Sequence, residues 1–120
     1  MNLNEFKTQE DSWMELYAPD GTKTDIRIQL VSRDSTTYQG RIRKLAEKNR
    51  KATRGMSITD IEKESMNIYV ACTVGWENMQ ENEKDVKCES DNVQHIYEAY
   101  PWIYENVREF IDDRANFLAN

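Results

Sequence analysis

Histidine occurs once in this chain, at His95, and cysteine twice, at Cys72 and Cys88. A His-based nucleophilic site needs a serine or cysteine beside the imidazole and a carboxylate to orient it, and nothing in the spacing around His95 suggests one. His95 reads instead as a surface or partly buried residue on a short helix. Structural zinc takes four Cys or His ligands, and the chain offers only three candidates with no C-x-x-C pair, so no metal is expected. Cys72 reads as a small core residue and Cys88 as a loop thiol. Two cysteines are too few for a disulfide framework.

Glycine is scarce as well. The four glycines, at 21, 40, 55 and 75, stand alone, which excludes both a G-x-G-x-x-G fingerprint and a P-loop. No segment alternates oxygen ligands around a central glycine as an EF-hand does. Adjacent or near-adjacent carboxylates such as Asp112 and Asp113, or Glu62 and Glu64, do not share a helix face. No enzyme and no cofactor are therefore expected. The chain also lacks the run of about 20 apolar residues that a membrane span requires. Its opening, MNLNEFKTQED, has neither the basic nor the apolar region of an export signal.

What remains is an acidic sequence of 120 residues with net charge −6, in which 38% of residues are apolar and 32% charged. Its length fits one domain over 1–120, and the modest apolar share implies a thin core that leans on aromatics. Residues 13–32 read as a hairpin. Ala18-Pro19-Asp20-Gly21 is turn chemistry, and Ile26, Ile28 and Leu30 alternate with polar neighbours in the period of a half-buried strand. Two strands alone are marginal in water, so that face requires cover from a helix, more strand or another chain.

The pattern then turns helical, with four helices predicted over about 35–53, 57–75, 91–99 and 101–118. Asp34 or Ser35 can cap the first, in which Tyr38, Ile42, Leu45 and Ala46 form a narrow apolar face, and Gly55 is a stop beyond it. Ser57 and Asp60 stand at capping-box spacing before the second, whose stretch from Ile68 to Val74 has the composition of a core centre. Residues 77–91 are polar and acidic and read as a loop, with an extended piece at Val86 to Cys88. Val93, Ile96 and Tyr97 share a face of the third helix. Pro101 opens the last, along which Ile103, Val107, Phe110, Ile111, Arg114, Phe117 and Leu118 make a stripe. The fold class expected is α+β, predominantly helical, with an N-terminal hairpin packed on about four helices.

Two surfaces stand out as candidates for partner contact. Arg41, Arg43, Lys44, Lys48, Arg50, Lys51 and Arg54 face the single Glu47 over residues 41–54, a local net charge of +6 that leaves −12 for the rest. Such a run suits a nucleic-acid backbone, a solvated face, or the acidic part of another copy of the chain. The global charge of −6 and the lack of any RNA-binding or helix-turn-helix signature weigh against nucleic acid. Trp102 and Tyr104 lie beside the last helix's apolar stripe, where aromatic residues are enriched when proteins meet. Phe110 and Phe117 lie on the stripe and are assigned to packing.

The order of local motifs resembles the tail assembly chaperones of long-tailed, non-contractile bacteriophages. The resemblance rests on Pro19-Asp20-Gly21 within the hairpin, Arg33-Asp34-Ser35 at its end and Thr73-Val74-Gly75-Trp76 closing the second helix. It continues with Asn92-Val93, Tyr100-Pro101-Trp102-Ile103, Val107, Phe110, Ile111 and Arg114-Ala115-Asn116-Phe117. It spans nearly the whole chain and includes no catalytic signature. It implies a small, non-enzymatic protein of the infected cell's cytoplasm, absent from the mature virion. Its client would be the tape measure protein, a long, aggregation-prone helical rod that such proteins coat until tail tube subunits displace them. Self-association is also expected. Many members have a frameshifted, longer form that recruits the tube protein, and the present chain would correspond to the shorter product or to a relative without the longer one. The acidic segment 77–91 and the basic helix lie outside the resemblance. The competing expectation is a small nucleic-acid-binding regulator using residues 41–54.

Overall fold

Pro19, Asp20 and Gly21 turn the chain back on itself between β1 (Asp11–Tyr17) and β2 (Lys23–Val31) in a computed structural model that describes residues 1–52 and 54–119. Gly21 takes φ +88°, the left-handed value that glycine adopts without steric cost. The Asp20 carboxylate accepts the Thr22 amide at 3.0 Å and fixes the turn from inside. The strands pair antiparallel from Asp11 opposite Val31 to Tyr17 opposite Lys23. One face of this hairpin buries Met14, Leu16, Ile28 and Leu30. The other carries Trp13, with the Arg27 guanidinium 4.6 Å from its ring centre, and the Arg27–Glu77 ion pair.

Among the described residues the chain then forms four α-helices: α1 (Thr36–Lys51), α2 (Ile58–Ala71), α3 (Ser90–Ala99) and α4 (Pro101–Asp112). The fold is α+β and predominantly helical, with the hairpin packed on helices, as its sequence predicts. Ser35 is the cap of α1, accepting the Tyr38 amide at 3.1 Å, while Asp34 pairs instead with Arg114. Ser57 caps α2 through the Asp60 amide at 3.1 Å. Thr53, the last residue of the predicted first helix, and Asn120 lie outside the described residues. Gly55 adopts φ +74° in the connection rather than ending α1 directly, for the helix has already given way at Ala52.

Three expectations are corrected. The second helix ends at Ala71, and Thr73–Glu77 is a strand, β3, that adds to the free edge of β2 in the order β1-β2-β3. Thr73, Val74 and Trp76 are β-favouring, and the free edge of β2 pairs with Thr73, Gly75, Trp76 and Glu77. At Gly75 the strands come so close that a Cβ would sit 3.0 Å from the Gln29 side-chain oxygen. The pairing slips between Gln29 and Leu30, which leaves Val74 as a bulge with 51% exposure rather than in the core.

The last helix stops at Asp112, short of 118. Asp113 turns the chain and accepts the Ala115 amide at 3.0 Å, starting a 3₁₀ turn over Arg114–Phe117 that drops Phe117 into a fully buried site against Phe110. The acidic segment 77–91 is also folded. Its short strands β4 (Gln80–Glu81) and β5 (Lys84–Asp85) are joined by Asn82 and Glu83, both with positive φ as a tight two-residue hairpin turn requires, and the predicted extended piece at Val86–Cys88 is not a strand. Met79 is buried, and the Trp76 indole donates to the Val86 carbonyl at 2.7 Å.

The core lies between the hairpin's inner face and α2, α3 and α4. It is more aliphatic than expected: Leu16, Ile28, Leu30, Val93, Ile96, Val107 and Ile111 have almost no exposure, with Tyr97 the main fully enclosed aromatic of the central cluster. Each such aliphatic side chain contributes about 1.5–3 kcal/mol by leaving water. Cys72 is enclosed among them, and burial pushes its thiol up to about 12.

Candidate partner-binding surface

α1 is sixteen residues long, about 24 Å at 1.5 Å per residue, and none of its side chains is buried. It packs on α2, and α1 together with residues 58–67 of α2, none of them buried, forms an arm, while Ile68, Tyr69 and Val70 at the far end of α2 are buried in the core. The radius of gyration, 15.8 Å, exceeds the roughly 13.6 Å of a compact chain of this length, in keeping with such an arm. The arm is rooted in a relay of aromatic rings. Tyr38 of α1 meets Tyr69 of α2 edge-on at 6.0 Å, Tyr69 meets Tyr104 of α4 at 5.9 Å, and Tyr104 lies 5.8 Å from Tyr97 of α3. The Tyr69 hydroxyl donates to the Asp112 carboxylate at 3.1 Å, and Arg108 lies over the Tyr69 and Tyr104 rings at 5.8 and 5.5 Å. Burial drives the Tyr69 phenol well above its ordinary value.

Beyond that root the arm has two grooves. One, of about 310 Å³, has Arg41, Lys44, Lys48 and Lys51 around Glu47 and Glu64, above a floor of Leu45 and Ile68. Lys48 reaches Glu64 at 2.8 Å, and this bond holds the Glu64 carboxyl below its usual range. Lys51 and Arg50 approach Glu47 at 3.3 and 3.8 Å. Arg41, Arg43 and Lys44 have no ion-pair partner among the described residues. The other groove, of about 240 Å³, is apolar and lined by Ile42, Leu45, Ala46, Asn49 and Ile61. Ile42 and Ile61 are 37% and 39% exposed, and Ile58, one turn before Ile61, is 77% exposed.

Of the nine residues named from sequence, Arg41, Arg43, Lys44, Lys48, Arg50 and Lys51 all lie on the exposed arm, and Arg54 is exposed in the connection that follows α1. The structure does not bring Trp102 and Tyr104 among them. Both are half-buried on α4 and packed against the core, and Tyr104 is a link in the aromatic relay. Tyr104 lies between Tyr69 of α2 and Tyr97 of α3, and Trp102 is partly buried against the core. Ile42, Leu45 and Ala46, the narrow apolar face of the first helix, line the apolar groove, a role that helical spacing alone does not distinguish from packing. The signal that separates them is the cations on nearly every other side of α1.

Elsewhere the side chains form structural links. Glu81 accepts Tyr100 Oη at 2.8 Å and lies 2.9 Å from His95 Nε2, so the β4–β5 hairpin is tied to α3. The Tyr100 and His95 contacts, in that order, hold the Glu81 carboxyl below its ordinary value. No cluster of three His, Cys, Asp or Glu placed to hold a metal occurs among the described residues, and no helix among them is long and apolar enough to cross a membrane. Compared with known protein families, curated proteins and solved structures, the chain matches none of them.

Proposed function

We propose that this chain is a phage tail assembly chaperone that works by binding alone, in the cytoplasm of the infected cell and outside the finished virion. It shields the tape measure protein until tail tube subunits polymerise around that rod and displace it. The order of motifs supports this reading, and the observation that carries it is the arm: a rooted helical hairpin with an open apolar groove and six cations on one helix. A surface of that kind captures another helix by many modest, displaceable contacts, and its charged part weakens with salt. Association between copies fits the same separation of charge, with α1 strongly basic and the remainder acidic.

Co-expression tests the proposal. The tape measure protein becomes soluble with this chain and stays insoluble without it; unchanged solubility refutes the reading. A second reading, nucleic-acid binding, draws on Arg41, Arg43 and Lys44, whose side chains have no ion-pair partner among the described residues. Phosphate contact by those residues would give a steeply salt-dependent gel shift. The chaperone reading expects no shift of DNA or RNA at micromolar protein and low salt.

A further inference from the structure

We infer that the apolar groove of the arm, between Ile42, Leu45, Ala46 and Ile61, seats a single amphipathic helix with an acidic flank. The inference rests on the chaperone reading, in that this helix would be a stretch of the client.

Ile42, Leu45, Ala46 and Asn49 recur at i, i+3, i+4 and i+7, one stripe of α1, and Ile61 of α2 closes the groove from the other side. A seam between two helices is where a third packs, its apolar ridge entering the groove. Charge then selects the occupant. At 100° per residue Arg43 and Arg50, seven apart, fall along the edge of α1 just past Ala46, the rim away from α2. Arg43 has no ion-pair partner among the described residues, and Arg50, with its side chain 76% exposed, has only the 3.8 Å approach to Glu47. Carboxylates on the incoming helix complement this rim, whereas lysines there are repelled.

The chain's own elements suit the groove poorly. The apolar faces of α3 and α4 are already spent on the core through Val93, Ile96, Ile103, Val107 and Ile111. A second arm laid face to face would bring the same arginines with it.

The test uses the full-length protein and three fluorescein-labelled peptides of about 20 residues, long enough to hold helix. The first has leucine at i, i+3, i+4 and i+7 with glutamate on the flanks. In the second lysine replaces glutamate, and in the third the leucines of the first are scrambled. Anisotropy titration shows the first binding saturably, and about tenfold more tightly than the other two. Arg43→Glu with Arg50→Glu reverses the preference between the glutamate and lysine peptides, and Ile42→Asp with Ile61→Asp abolishes binding, while circular dichroism confirms that both variants fold. Equal binding of the glutamate and lysine peptides, or binding that survives Ile42→Asp with Ile61→Asp, overturns the inference. So does sedimentation showing a dimer that this pair of substitutions dissociates, because the occupant is then a second copy. Tape measure solubility scored with the same variants separates the two ideas. If the aspartate variant still solubilises the tape measure, the groove assignment falls and the chaperone reading stands. If wild-type protein binds the first peptide and leaves the tape measure insoluble, the client falls instead.

Discussion

The Tyr97 hydroxyl lies 2.7 Å from Thr73 Oγ1, where α2 has just ended and β3 begins. Thr73 Oγ1 donates its one proton to the Tyr69 carbonyl at 2.9 Å, so Tyr97 is the donor in the pair. Both residues are buried. Thr73→Val leaves the Tyr97 O–H without an acceptor and destabilises by about 1–3 kcal/mol, whereas Tyr97→Phe removes only a donor and costs about 1 kcal/mol. The double variant costs less than the two singles combined, because no orphaned hydroxyl remains. Urea unfolding of the four proteins measures the cycle.

The arm separates surface from core in a second series. Ile42→Ser, at a position with 37% exposure, lowers stability by less than about 1 kcal/mol, while Ile28→Ala, at a fully buried position, costs about 2–5 kcal/mol. Thermal melts of the two variants give the comparison. Similar losses would mean that α1 is held in the core.

Tyr104→Ala breaks the relay between Tyr69 and Tyr97 and is expected to lower stability by about 2 kcal/mol, below the range of a fully enclosed aromatic because the ring is half-buried. Trp102→Ala also lowers the melting temperature, its ring being packed against the core. Melting without change would return both residues to the list of partner contacts.

Much of this architecture is legible in the sequence, and the failures have particular causes. The hairpin emerges as expected because alternation and turn residues agree locally, and α3 because Val93, Ile96 and Tyr97 share one face and Pro101 limits its end. Spacing alone carries the second helix past Ala71, because Cys72 and Trp76, four apart, continue its pattern, while β2, the strand that captures Thr73–Glu77, lies far up the chain and leaves no local signal. Spacing likewise carries the last helix past Asp112, because Ile111, Arg114 and Phe117 recur every three residues, a spacing shared by α and 3₁₀ turns. Ile42 and Leu45 read as a narrow apolar face, and periodicity reports such a face without showing what covers it.

Acid weakens the link between the start of α1 and the end of α4. Arg114 holds Asp34 through two bonds of 2.8 and 3.0 Å, and its guanidinium keeps the Asp34 carboxyl below the ordinary 3.8. A carboxylate held low in the folded state stabilises above its unfolded value and loses that contribution as pH falls through the folded one. Asp34→Asn therefore lowers the melting temperature slightly at pH 7, since the pair is exposed, and the gap from wild type closes below the ordinary aspartate value. Melts across an acid series test this, and a gap that widens in acid contradicts it.

Thiol labelling probes the core independently. Cys72 has no exposure and a thiol raised to about 12 by burial, while Cys88 is half-buried and its thiol is also raised by burial. Thiolate and access together set the rate, so a thiol reagent modifies Cys88 slowly and Cys72 only on unfolding. Cys88→Ser removes the native-state reaction.

Capture of the client by the arm is tested most directly by co-purification of the tape measure protein with tagged wild-type chain and with the Ile42→Asp, Ile61→Asp variant, under conditions where both remain folded. The account predicts a stable complex with the wild type that salt weakens, and little or none with the variant. Equal recovery with both, or none with either, contradicts it.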